Sequence, residues 1–143
     1  MSISFNKADK SATLANRAAL KSFLEKQIKK EGLLIENLQY VFCSDKYLLD
    51  INKQFLAHDY YTDIISFDLS EQKGQLIGEI YISVDRVKEN AKSVKTTQGN
   101  ELLRVIFHGA LHFCGYKDKK PADVKLMRNM EDRWLKAYLK IRG

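Results

Sequence analysis

Apolar residues along this chain recur with two periods that take turns, and that alternation restricts the fold more than any other feature. Between residues 14 and 31, Leu20, Phe23, Leu24 and Ile28 repeat at helical spacing. Lys21, Lys26, Lys29 and Lys30 lie elsewhere on that helix, and Gly32 follows as a stop. Residues 38–43, Leu-Gln-Tyr-Val-Phe-Cys, then read as a strand. Ser44 or Asp45 can cap a second short helix that carries Leu48, Leu49, Ile51, Asn52 and Phe55. Two strand-like runs at 63–69 and 76–83, parted by a Gly-containing spacer, predict a loose hairpin. A helix over 84–95 comes next. Another runs from about Asn100 to Cys114, where Gly115 is placed to end it. Pro121 opens a last helix that reaches about residue 140 with the stripe Met127, Met130, Trp134 and Tyr138.

Strands and helices are interleaved without a repeat, a low-complexity stretch or a Pro/Gly/Ser-rich linker. The expectation is one α/β (α+β) domain over residues 1–143, a small mixed sheet of about four strands packed with about five helices. With 45% hydrophobic and 29% charged residues, one proline and seven glycines in 143 residues, the composition excludes a disordered tail, a collagen-like repeat and a Cys-stapled mini-domain. Cys43 and Cys114 sit in apolar surroundings, as reduced thiols of a cytosolic protein do. No window approaches the ~20 apolar residues of a membrane span, and Met1–Lys10 holds no signal-like apolar run. The expected setting is the cytoplasm, with no membrane partner.

The segment that carries chemistry is His108-Gly-Ala-Leu-His112-Phe-Cys-Gly-Tyr-Lys-Asp118. Residues four apart on a helix lie about 40° from each other around the axis, so the two imidazoles form a preset bidentate metal site. A histidine pair at that spacing can also simply pack or hydrogen-bond. Here, however, it uses two of only three histidines in the chain. The helix ends at Gly115 directly afterwards, so a third ligand can fold back, and Asp118 offers a hard oxygen suited to zinc. The metal site is thus expected on a helix followed by a loop. In HExxH zinc proteases a glutamate follows the first histidine as general base; here that position is Gly109, which argues against such a protease. Cys114 lies two residues past His112, about 200° around the helix, and reads as core.

The segment resembles the HGxLHLxGYDH signature of the YbeY family of bacterial rRNA-maturation endoribonucleases. Upstream, Asn52…Phe55…Asp59-Tyr-Tyr-Thr62-Asp63-Ile-Ile-Ser66-Phe67 is similar to that family's N-x-x-Y-R-x-x-D-x-P-T-D-V-L-S-F. Gly78-Glu-Ile-Tyr-Ile-Ser83 resembles its G-D-I-x-I-S strand, and Met127…Glu131 fits the helix after the metal loop. The match covers roughly residues 45–135 in order and spacing. Two positions depart from it. The family's third metal ligand is a histidine where this chain has Asp118, and its arginine before the T-D-V-L-S-F strand falls on Leu56. A carboxylate can still ligate zinc, at about 2.0–2.2 Å. The lost arginine removes a cation expected to stabilise phosphate.

The resemblance implies a metal-dependent endoribonuclease that cuts single-stranded RNA in ribosomal RNA maturation and ribosome quality control. His108 and His112 are the expected catalytic residues, and with Asp118 they are the expected ligands of one divalent ion, zinc first. They leave a position open for a water that attacks the phosphodiester. His58 is a candidate phosphate contact or alternative ligand, with an exposed loop residue as the plainer account. Thr62, Asp63 and Ser66 have capping and sheet hydrogen bonding as theirs. Tyr60 and Tyr61 can stack on unpaired bases or pack in the loop. Charge supports an anionic partner. The chain carries a net +6, of which residues 117–143 hold a net +5, directly after the proposed metal loop. Lys117, Lys119 and Lys120 are therefore candidate RNA contacts, and ribosomal subunit proteins are possible further partners. The rival readings are an RNA- or ribosome-binding assembly factor with weakened catalysis, and a different zinc hydrolase such as a peptidase.

Overall fold

The computed structural model describes residues 1–142. Along the chain run β1 (Ser2–Lys7), α1 (Arg17–Lys30), β2 (Leu34–Cys43), α2 (Asp45–Leu56), β3 (Ile64–Asp68), β4 (Gln75–Ser83), α3 (Val84–Ser93), α4 (Gln98–Phe113) and α5 (Pro121–Arg142). The strands form a four-stranded sheet in the order β1-β2-β4-β3. β1 pairs parallel to β2 and β2 parallel to β4, while β3 returns antiparallel on β4 as the expected hairpin. The mixed sheet and the five helices bear out the architecture expected from the sequence.

Strand alternation sends two sets of side chains to two faces. Leu38, Tyr40 and Phe42 of β2, with Leu76, Ile80 and Ile82 of β4, join the main core beneath α1, α4 and α5. Ile65 and the partly buried Phe67 and Tyr81 turn the other way, onto α2 and its Leu48. Each of these apolar side chains contributes about 1.5–3 kcal/mol on full burial. The main core closes on an aromatic cluster. Phe107 of α4 meets Phe23 of α1 and both Trp134 and Tyr138 of α5, with ring centroids 5.4, 5.8 and 6.1 Å apart.

Side-chain caps set several boundaries. The Ser44 hydroxyl accepts from Tyr47 N at the start of α2, and Thr97 accepts from Asn100 N at the start of α4. Helix α4 therefore begins at Gln98, slightly before the start read from periodicity, because Thr97 holds its first turn. β1 is an addition to the elements read from the sequence. Only Ile3 and Phe5 of it are buried, so its pattern is too short to stand out; pairing with β2 makes it a strand.

Helix α4 approaches the sheet closely because it carries glycine where it crosses. A Cβ built on Gly109 would lie 2.8 Å from Ile80 Cδ1 and 2.9 Å from Ile64 Cδ1. The Tyr40 hydroxyl, fully buried, donates to the carbonyl of Ile106 at 2.9 Å and pins α4 two residues before His108. The helix that carries the histidines is thereby anchored to β2, β3 and β4.

Candidate metal centre

Helix α4 is buried on most sides, yet one row of it is polar: Glu101, Arg104, His108 and His112 recur at i, i+3, i+7 and i+11. All four line a cleft of about 760 Å3, whose walls also include Asn52, His58, Tyr60, Asp63 and Ser66. The His108 and His112 rings lie 4.6 Å apart, nearly perpendicular.

The helix ends in a turn that returns the chain to this row. Gly115 N donates to His112 O at 3.0 Å and Tyr116 N to Leu111 O at 3.1 Å, the paired bonds of a Schellman motif. That motif needs a left-handed residue, and Gly115 supplies it at φ 101°. The Tyr116 hydroxyl then donates to the Glu31 carboxylate at 3.1 Å, tying the loop to the end of α1. Asp118 arrives with Oδ2 at 3.1 Å from His108 Nε2 and 3.2 Å from His112 Nε2. Gly115→Ala is expected to cost about 1 kcal/mol, because Cβ makes the left-handed conformation unfavourable. A urea melt should register that loss, and metal affinity should fall with it as Asp118 is displaced.

The donor set passes a geometric test. Ligands about 2.1 Å from a tetrahedral ion stand about 3.4 Å from one another. Both Asp118 distances come close to that edge, and all three donor atoms lie within 4.8 Å of one another. A second layer of groups orients the first. His108 Nδ1 donates to Glu131 Oε2 at 2.6 Å, which turns Nε2 toward Asp118. Glu131 Oε1 accepts from Arg104 at 3.2 Å and lies 3.5 Å from Arg128 Nη1, and Arg104 also pairs with Asp132 at 2.6 Å.

Burial pulls the His108 pKa down, but its bond to Glu131 and the charges of Glu131, Asp118 and Asp63 outweigh that and raise it. Burial raises the pKa of Asp63 in the same cleft, against the opposing pull of His108. The folded chain therefore holds the Asp63 proton above pH 3.8, where the unfolded chain has released it, and stability falls as pH rises through that window. Asp63→Asn is accordingly expected to raise Tm at pH 7 and to leave it unchanged below pH 3.8, as read by calorimetry at both pH values.

Known proteins share both the sequence and the fold of this chain. The profile of the family described as Endoribonuclease YbeY matches residues 2–139. An Endoribonuclease YbeY of Cytophaga hutchinsonii is 51% identical over 130 residues, covering 91% of each chain. This chain belongs to the YbeY family. Its similarity reaches an Endoribonuclease YbeY of Parabacteroides distasonis, 37% identical over 135 residues and 94% of each chain. In three dimensions it resembles the solution structure of TM1509 from Thermotoga maritima, with a TM-score of 0.65 and 28% identity, over 96% of this chain and 89% of that one.

Set on this fold, the polar residues Asn52, Thr62, Asp63, Ser66, His108, His112, Asp118 and Glu131 of the YbeY-like segments line one cleft. His108, His112 and Asp118 meet, as the sequence predicts. Asp63, Ser66 and Leu56 line the same cleft, so the position of the family arginine does face it, without a cation. Arg104 and Arg128 enter that cleft instead, from α4 and α5. Of the three candidate lysines, all exposed, Lys119 is among the cleft-lining residues. His58 is exposed in the α2–β3 loop, lines the cleft and stacks on Tyr60. Cys114 packs partly buried against the core, as expected from its angle on the helix. Sequence reading missed Glu101 and Arg104, although their helical spacing ahead of His108 on an apolar helix was the available signal. It registered Glu131 only as part of a motif, and no local pattern joins that residue to His108.

Proposed function

We propose that this chain is a single-domain, metal-dependent endoribonuclease that cuts single-stranded RNA, with ribosomal RNA as substrate and ribosome maturation and quality control in the cytoplasm as its setting. The observation that carries this reading is the convergence of His108 Nε2, His112 Nε2 and Asp118 Oδ2 on one wall of a cleft large enough for a polymer segment. Membership of a family whose relatives bear the name endoribonuclease supports it. Two imidazoles and one carboxylate suit zinc, and three protein ligands leave a coordination position free. A divalent ion held there lowers the pKa of water and offsets charge on phosphate.

The protein groups hold and orient. Glu131 accepts the Nδ1 proton of His108, so that Nε2 presents its lone pair. Arg104 and Arg128 supply positive charge to an RNA phosphate, the part that Leu56 cannot play. Lys119, with Lys117 and Lys120 beside it, extends that field outward, and ribosomal subunit proteins are further candidate partners. Gly109 faces Ile80 and Ile64 of the sheet, so the position that bears the base in HExxH peptidases does not serve the cleft here.

The test is elemental analysis of the purified chain beside an assay on single-stranded ribosomal RNA fragments. The expected result is about one divalent ion per chain, cleavage abolished by chelation and cleavage restored by zinc. A metal-loaded, nuclease-free preparation that leaves such RNA intact, together with an unchanged metal content in His108→Ala, would overturn it. Leu56 in the cleft favours one second reading, a ribosome-binding assembly factor; retained ribosome association without metal-dependent cleavage would select that.

A further inference from the structure

The loop between α2 and β3 is built more firmly than an ordinary surface connection. Asn52, 2% exposed, donates from Nδ2 to the carbonyl of Tyr60 at 3.0 Å, and its backbone carbonyl accepts from His58 N at 3.1 Å. Ala57 takes the left-handed conformation at φ 55° to start the turn, and Lys53 bridges to Asp59 at 3.3 Å. What this scaffold presents is a pair of stacked rings. His58 and Tyr60 lie 5.1 Å apart at 22°, and the Tyr60 hydroxyl bonds His58 Nδ1 at 3.0 Å. Tyr60 remains 56% exposed, although both residues line the cleft that holds His108 and His112. Rings that serve only to pack bury their faces; here a buried polar side chain instead orders an aromatic surface facing the cleft.

We infer that the exposed face of the His58–Tyr60 pair is the seat of an unpaired nucleobase, and so a determinant of single-strand selectivity. This rests on the endoribonuclease reading and adds to it the part of the substrate that is recognised. A flat aromatic face accepts any base, because every base has a π-face, and such stacking tolerates sequence. In a duplex both faces of each base are covered by its neighbours, so a paired base cannot reach the platform without first leaving the stack. The selectivity therefore comes from the availability of a base face. Tyr60 supplies the surface; His58 backs it and fixes its angle.

The experiment uses the full metal-loaded chain and a short single-stranded RNA that contains 2-aminopurine, alongside its duplex and an oligomer abasic at the same position. Stacking is read from the immediate fall in fluorescence on mixing, and cleavage from a gel of the same reaction, so the two readings fail separately. With the wild-type chain, the single strand should be quenched and the duplex should not. Tyr60→Ala should lose the quench and raise Kd for the intact strand roughly 5- to 150-fold, the range of one stacked base. It should also bind the intact and abasic strands alike. Tyr60→Phe keeps the ring and should keep the quench. Bound metal and Tm, measured on each variant, report an intact site and fold. Equal quenching and affinity in Tyr60→Ala and wild type would overturn the inference, as would equal wild-type affinity for intact and abasic strands. Quenching without cleavage would instead leave the platform standing and remove the endoribonuclease reading.

Discussion

His112→Ala is expected to release the divalent ion and to lower cleavage of single-stranded RNA by at least about a thousandfold. The size follows from what is removed. Lewis-acid stabilisation by a bound ion is worth several kcal/mol, and each 1.36 kcal/mol is a factor of ten in rate. Without His112 the site keeps one imidazole and one carboxylate, too few for a tetrahedral ion that also needs an open position. The side chain is only partly buried at the end of α4, so its truncation should leave the fold intact. Circular dichroism should therefore match the wild type while elemental analysis shows the metal gone. Asp118→Ala should lower metal content too, and a content equal to wild type would remove Asp118 from the site.

Glu131→Ala should be the most damaging change to the fold among the residues around the site. Glu131 is 4% exposed and is met by His108, Arg104 and Arg128. Removing one partner from a buried charged pair costs about 3–5 kcal/mol. The lower end, about 3 kcal/mol, applies here, because Arg104 keeps Asp132 and Arg128 reaches water while His108 loses its partner. That is a large share of the 5–15 kcal/mol that typically holds a domain. Glu131→Gln separates fold from function. The amide keeps the shape and can still accept from His108 Nδ1, but it lacks the charge that holds the imidazole in its tautomer. Metal affinity should fall about 10- to 100-fold in this variant, as when the partner of a metal-ligating histidine is altered. Denaturant titration of both variants, paired with metal binding, measures the two effects independently.

How much of this could be read in advance depended on whether the signal was local. The apolar stripe of α5, the hairpin β3–β4 and the stop at Gly115 each rest on residues within a few positions, and each stands in the structure. The His108–His112 pair and the return of Asp118 share that property, since one helical turn and one Schellman motif bring them together. β1 was not legible, because two buried residues in six carry little pattern and its strand character comes from β2. The bond from Glu131 to His108 spans 23 residues and depends on how α5 crosses α4. The latch of Asn52 on Tyr60 was equally hidden, because a buried asparagine looks like any other polar residue until the loop above it is in place.

The shortness of the segment from His108 to Asp118 bears on how metal and folding are linked. All three donor atoms come from eleven consecutive residues, whereas the groups that aim them come from α5 and the sheet. An unfolded or nascent chain carries the three candidate ligands parted by spacers of only three and five residues, and so should retain some affinity for a divalent ion. Metal that binds both states stabilises the native one only by the difference in affinity. The ion should therefore raise Tm by less than its native dissociation constant alone implies.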